Sequence, residues 1–210
     1  MGGSFNPVHL GHLHAAKHVI KKTKLDEIWF VPAYFPPHKP SNEFISSYHR
    51  FAMVSLATYR IEKFKALTLE LEKSSVCYTI DTIKLLLEKY EKIIYNINIP
   101  ELFFIMGSDS LLEIQTWKEY EKLIEMIFFI VVERDRCIFD SLYSLPCMIK
   151  NRFTMRFDEL NLKKKNILLL KGRMLDISSS KIRELIKEGR DISKLVPKSV
   201  YCYINKYKLY

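Results

Sequence analysis

Five strand-length apolar runs recur along this chain, and segments of helical period separate them. That alternation constrains the fold more than any other feature. The runs are Ile28–Val31, Ala66–Glu72, Leu102–Met106, Ile127–Val132 and Ile167–Leu170. Most are continuously apolar, as expected of strands covered on both faces. Ala66–Glu72 alternates through Leu67, Leu69 and Leu71, which predicts a strand with one covered face. Between them, helical spacing predicts helices over 9–23, 47–59, 79–90, 110–114, 117–125, 179–188 and 200–207. Strands alternating with helices pack as a parallel sheet with helices on both sides, a doubly wound α/β fold. The 210 residues suffice for one domain with a sizeable core, closing with a C-terminal helical segment over 177–210. Residues 32–40 hold four prolines and predict a loop. The stretch 133–166 carries no clear period.

Composition narrows the class. Hydrophobic residues make up 48%, which excludes a disordered tail. No run reaches the roughly 18–20 apolar residues that cross a bilayer, and the N-terminus has no signal-peptide pattern, so a cytoplasmic protein without a membrane partner is expected. Cys77, Cys137, Cys147 and Cys202 form no C-x-x-C pair, which fits a reduced compartment and no protein-held metal. The net charge of +9 suits anionic ligands. Aromatic residues do not interleave with one basic stripe, so no nucleic-acid partner is expected.

Two constellations carry chemistry. The first is Gly2-Gly3-Ser4-Phe5-Asn6-Pro7-Val8-His9-Leu10-Gly11-His12. Glycines let the backbone approach a ligand closely. The chain then enters a helix, whose free N–H groups and positive dipole end favour phosphate. His9 and His12, three residues apart, share a face there and can donate to phosphoryl oxygens. The plainer alternative is a Gly-rich turn followed by surface histidines. The second constellation is Ile177-Ser178-Ser179-Ser180-Lys181-Ile182-Arg183. Its serines can cap a helix, and Arg183 lies one turn in, with a planar, permanently charged fork. Alone it reads equally as an ordinary cap. Together the two suggest a polyphosphate across a sheet edge, and no G-x-x-x-x-G-K-[ST] loop is present.

G-S-F-N-P-V-H-L-G-H and I-S-S-S-K-I-R together resemble the paired signature of the class I-like adenylyltransferases, which have a Rossmann-like fold. Three further segments are similar to the bacterial-type nicotinate-nucleotide adenylyltransferase branch: Pro36-Pro37-His38-Lys39-Pro40, Cys77-Tyr78-Thr79, and Gly107-Ser108-Asp109-Ser110 followed by Thr116-Trp117. The likeness runs from Gly2 to the C-terminus and is weakest over 137–166. It implies transfer of AMP from ATP to nicotinate mononucleotide, with Mg²⁺ carried on the ATP. It also implies roles. Gly2, Gly3, Ser4 and Phe5 would line the ATP phosphates. His9 and His12 would hydrogen-bond to them, and Ser178, Ser179 and Arg183 would hold the phosphates that leave. On the acceptor side, Trp117 would stack on the pyridine ring, and Tyr78 and Thr79 would meet its carboxylate. Lys39 and Arg134 would meet phosphate or carboxylate, Asp109 the ribose hydroxyls, and Gly107 would belong to the same substrate site.

The sequence departs from the pattern at three places. Asn6 stands where many members carry Asp, and Cys77 where they carry Ser. Family members also have a strand before the Gly-Gly turn, whereas Met1 here abuts Gly2, so the central strand is expected to be missing or to begin upstream. Phosphopantetheine adenylyltransferase, a silent nucleotide-binding module and an RNA-binding protein are the rival readings. Acid or amide preference and oligomeric state are not legible.

Overall fold

Hydrogen bonds begin at the first residue of the chain in this computed structural model, which describes residues 1–35, 44–73, 76–93, 101–133, 141–172 and 174–210. Gly2–Gly3 form a two-residue strand, β1, parallel to β2 (Ile28–Pro32). This corrects the expectation of a bare turn. The ladder continues to either side, with Val31 N–H donating to Met1 O (3.0 Å) and Ala33 N–H to Gly3 O (2.9 Å). The apolar run of β2 offers backbone partners that even a two-residue strand can take up, and pairing satisfies both sides. β3 (Phe64–Ala66) lies parallel on the other edge of β2.

The described residues form two compact units: Met1–Cys77 with Leu175–Tyr210, and Tyr78–Met174. The first unit holds the β1-β2-β3 sheet. It also holds α1 (Leu10–Lys22), α2 (Ser47–Thr58) and the C-terminal α7 (Ser179–Lys187) and α8 (Lys198–Tyr207). α1 buries Leu13, Ala16 and Val19 of the stripe its spacing predicts, together with Ala15, while Leu10 and Ile20 are half-buried; it ends on Lys21 and Lys22, which suit the negative end of its dipole. α8 packs on α2, with Ser199 Oγ donating to Leu56 O (2.9 Å) and His49 Nδ1 2.9 Å from the Tyr203 hydroxyl.

The second unit holds a four-stranded parallel sheet. Its strands are β4 (Phe103–Gly107), β5 (Phe128–Val132), β6 (Phe153–Thr154) and β7 (Ile167–Leu170), in the order β4-β5-β7-β6. Every residue of β5 and β7 is buried, which is why both read as unbroken apolar runs. Its helices are α3 (Thr79–Ile93), α4 (Ser108–Leu112), α5 (Tyr120–Met126) and α6 (Cys147–Lys150). Asn166 is fully buried and donates through Nδ2 to Ile124 O and Ile127 O, tying the end of α5 to the start of β5.

Two element readings need correction. The strand expected over 66–72 ends at Ala66, and Leu71–Lys73 is a short 3-10 turn. Leu69 and Leu71 are buried nonetheless, so the alternation reported burial in a turn rather than strand pleat. Trp117, expected at a helix start, sits in extended backbone (φ −79°, ψ 143°) after a 3-10 turn at Ile114–Thr116.

Candidate active site

The turn between β1 and α1 is held in an unusual shape. Phe5 has φ 46°, in the left-handed region that a bulky residue enters only at a cost of roughly 1–2 kcal/mol. Burial of its ring offsets that cost: Phe5 is 1% exposed, edge-on to His12 with centroids 5.0 Å apart, and 5.9 Å from Phe30. Backbone strain of this kind collects where a turn must present itself to a ligand.

His9 is the N-cap of α1, and His12 lies one turn in. Their rings sit 3.7 Å apart, so the three-residue spacing does bring them together. His9 is buried, while His12 is half-buried. The backbone N–H of His9 donates to Nδ1 of His12 (3.3 Å). An accepting Nδ1 carries no proton, so in the neutral ring the proton belongs to Nε2, which becomes a donor. Gly11 makes the pair possible, because a Cβ there would stand 2.9 Å from His9 Nδ1 and 3.0 Å from its Cε1.

The second constellation meets the first across the sequence. Ser178 is the N-cap of α7, its hydroxyl accepting from Lys181 N–H (3.2 Å). Ser179 Oγ donates to Pro7 O (2.8 Å), and Arg183 Nη1 donates to Asn6 O (3.0 Å). These bonds dock the start of α7 against the turn and fix one arm of the Arg183 fork. Neither α1 nor α7 has an acidic residue in its first turn. Two helix starts and a guanidinium therefore gather positive potential around one turn, the requirement for binding a polyphosphate.

Two residues that sequence reasoning missed also hold the turn. Arg50 is 1% exposed and donates to Ser4 O (2.7 Å), Tyr34 O (2.8 Å) and Ile45 O (3.3 Å). Burial lowers its pKa, with Tyr210 and Glu70 acting in the opposite direction. A signal existed: Arg50 interrupts the apolar stripe of α2 that continues through Met53, Val54 and Ala57. Tyr210 donates its hydroxyl to Asn6 Oδ1 (2.9 Å). Burial pushes its pKa far above the usual tyrosine value, although Arg183 and Arg50 pull the other way. No local sequence pattern announces it.

Of the residues assigned to the acceptor, Tyr78, Thr79, Gly107, Asp109 and Trp117 belong to the second unit. Tyr78 precedes Thr79, the first residue of α3. Gly107 ends β4 and caps α4, placing Asp109 in the first turn. The Trp117 ring is edge-on to Phe104 at 5.8 Å. Lys118 Nζ lies 3.0 Å from Asp81 Oδ2 and 4.9 Å from the Tyr78 ring centroid. Lys39 and Arg134 lie outside the described residues. In sum, Gly2, Gly3, Ser4, Phe5, His9, His12, Ser178, Ser179 and Arg183 fall in the first unit, while Tyr78, Thr79, Gly107, Asp109 and Trp117 fall in the second.

A cytidylyltransferase-like family model matches residues 1–185. The chain is 36% identical over 209 residues to a Clostridium tetani protein named "Probable nicotinate-nucleotide adenylyltransferase", covering all of this chain and 96% of that one. It is 38% identical over 211 residues to a Thermoanaerobacter protein of the same name, covering all of this chain and 92% of that one. Among solved structures, it is similar to the Plasmodium falciparum nicotinic acid mononucleotide adenylyltransferase complexed with NaAD. That match has a TM-score of 0.71 at 25% identity and covers 99% of this chain and 94% of the other.

Proposed function

The chain belongs to the cytidylyltransferase-like family, among its nicotinate-nucleotide adenylyltransferases, and we propose that it joins ATP and nicotinate mononucleotide into nicotinate adenine dinucleotide and pyrophosphate, a step of NAD biosynthesis. Its fold is the α/β Rossmann-like fold of nucleotidyltransferases. The observation that carries the reading is the meeting of two motifs some 170 residues apart on one turn, through Ser179 to Pro7 O and Arg183 to Asn6 O.

The 5′-phosphate of the mononucleotide attacks the α-phosphorus of ATP, and the bond to the bridging oxygen of pyrophosphate breaks. The nucleophile is already ionised, so the protein needs no strong base. It must position the reactants and stabilise charge spreading over phosphoryl oxygens. In this reading the turn of Gly2, Gly3, Ser4 and Phe5 lines the triphosphate. His12 donates from Nε2 to the α-phosphate, and His9 supports it by contact. Arg183, with Nη1 on Asn6 O and Nη2 3.5 Å from Ser180 Oγ, brings its permanent charge to the leaving pyrophosphate. The Ser178 hydroxyl caps α7, so its contribution, with that of Ser179, is the free N–H groups of the helix start. Tyr78, Thr79, Gly107, Asp109 and Trp117 take the acceptor, joined by Lys39 and Arg134.

Magnesium arrives as part of MgATP. Phosphate and water oxygens satisfy this ion well, and among the described residues no three His, Cys, Asp or Glu side chains gather to hold a metal. Among the described residues no helix is long and apolar enough to cross a membrane.

The test is pyrophosphate release with MgATP and nicotinate mononucleotide, beside nicotinamide mononucleotide and phosphopantetheine. Turnover is expected with the pyridine mononucleotides, led by the nicotinate form. Turnover with phosphopantetheine alone would assign a different acceptor, and silence with all three would refute the reading.

A further inference from the structure

Arg50 lies in none of the motifs, yet it is the most completely buried lysine or arginine side chain among the described residues. Taking a guanidinium out of water costs several kcal/mol unless its donors are met. Here three backbone carbonyls from three separate segments meet them: Ser4 in the phosphate turn, Tyr34 after β2 and Ile45 before α2. The Phe44 ring lies 5.7 Å from the guanidinium carbon. Among the described residues no carboxylate forms an ion pair with Arg50, and Glu70 acts on it only at longer range.

Two physical consequences follow. The planar fork makes bonds whose directions are fixed, so it locks the Ser4 carbonyl, next to the left-handed Phe5, to the backbone of Tyr34 after β2 and of Ile45 before α2. Among the described residues no carboxylate pairs with the charge at short range, and close to a turn that receives a triphosphate it favours the anion.

We propose that Arg50 is a positioning residue for adenylyl transfer: it sets the phosphate turn through Ser4 O and ties that turn, through Tyr34 O and Ile45 O, to the end of β2 and the start of α2. This rests on the reading that the turn takes the phosphates of ATP.

The experiment compares wild type, Arg50→Lys and Arg50→Gln for kcat and for KM of ATP and nicotinate mononucleotide. Each rate is normalised to the folded fraction from thermal melts. Lysine keeps the charge but cannot span three carbonyls, and glutamine loses both charge and reach. In Arg50→Gln kcat is expected to fall about 100-fold, the scale of a small misplacement of reacting groups. KM for ATP should rise, and Arg50→Lys should fall between. A purely structural role would lower the folded fraction and leave kcat and KM per folded molecule untouched, and that result would overturn the inference. Should Arg50→Gln fail to fold, Arg50→Lys decides alone: wild-type constants in it would overturn the proposal, and a lowered kcat with raised ATP KM would support it. A wild type silent in the same assay would instead sink the functional reading, and this inference with it.

Discussion

Replacing Gly11 by alanine sets two physical effects against each other. Gly11 is the second residue of α1, and by propensity alone alanine stabilises a helix by up to about 1 kcal/mol relative to glycine. The structure reverses that sign. The new methyl would stand 2.9 Å from His9 Nδ1 and 3.0 Å from Cε1, with Ile177 O at 3.5 Å limiting escape. His9 is 3% exposed and its ring lies 3.7 Å from that of His12, so it can yield only by pushing the second imidazole. Overpacking of this kind costs about 1–3 kcal/mol. After the propensity gain the net is a loss of about 1 kcal/mol, or a fall in Tm of about 2–4 °C for a chain of this length. The effect on turnover should be larger, because the displaced His12 ring carries the donor that the proposed function assigns to the α-phosphate. kcat should drop about 100-fold. Thermal melts and the pyrophosphate-release assay read both quantities. A Gly11→Ala protein that melts higher than wild type at unchanged kcat would refute the argument that the glycine exists to admit the His9 ring.

Three further outcomes are expected. His12→Ala should fold normally, because the ring is only half-buried, and should lose about 100–1000-fold in kcat, the usual effect of removing one donor to a developing oxyanion; an unchanged kcat would remove His12 from that role. The Tyr210 hydroxyl should stay neutral well above pH 10, the range in which unfolded tyrosine ionises. Because its folded pKa is raised, its contribution to stability is complete below about pH 10 and is lost as pH rises beyond that. Alkaline absorbance titration should show a tyrosine that ionises only on unfolding, and Tyr210→Phe should abolish that delayed step. Asn166→Ala leaves the buried carbonyls of Ile124 and Ile127 without their donor and should cost about 2–4 kcal/mol in denaturant unfolding, whereas a loss below 1 kcal/mol would show that other groups satisfy them.

Periodicity made most elements legible. Ile167–Leu170 was read to the residue, and α1, α2 and β5 to within one or two, because their apolar patterns reflect burial directly. The reading failed where burial and secondary structure part company. Leu69 and Leu71 are buried in a turn, and β1 is a strand made of two glycines, whose lack of side chains leaves no pattern at all. The polar motifs were legible for a different reason. Glycine, histidine and serine at a helix start act through local backbone geometry, so their spacing is visible in the sequence.

By itself, then, the sequence determined the alternation of strand and helix and the two motifs at helix starts on which the proposed phosphate site rests, since these depend on residues a few positions apart. Only the tertiary structure decided that Arg183 and Ser179 hold the backbone of Asn6 and Pro7, and that Arg50 and Tyr210 grip the same turn. Those bonds end mostly on backbone oxygens, which every residue carries. No residue type at either end marks the pairing, and only the folded path of the chain brings the partners together.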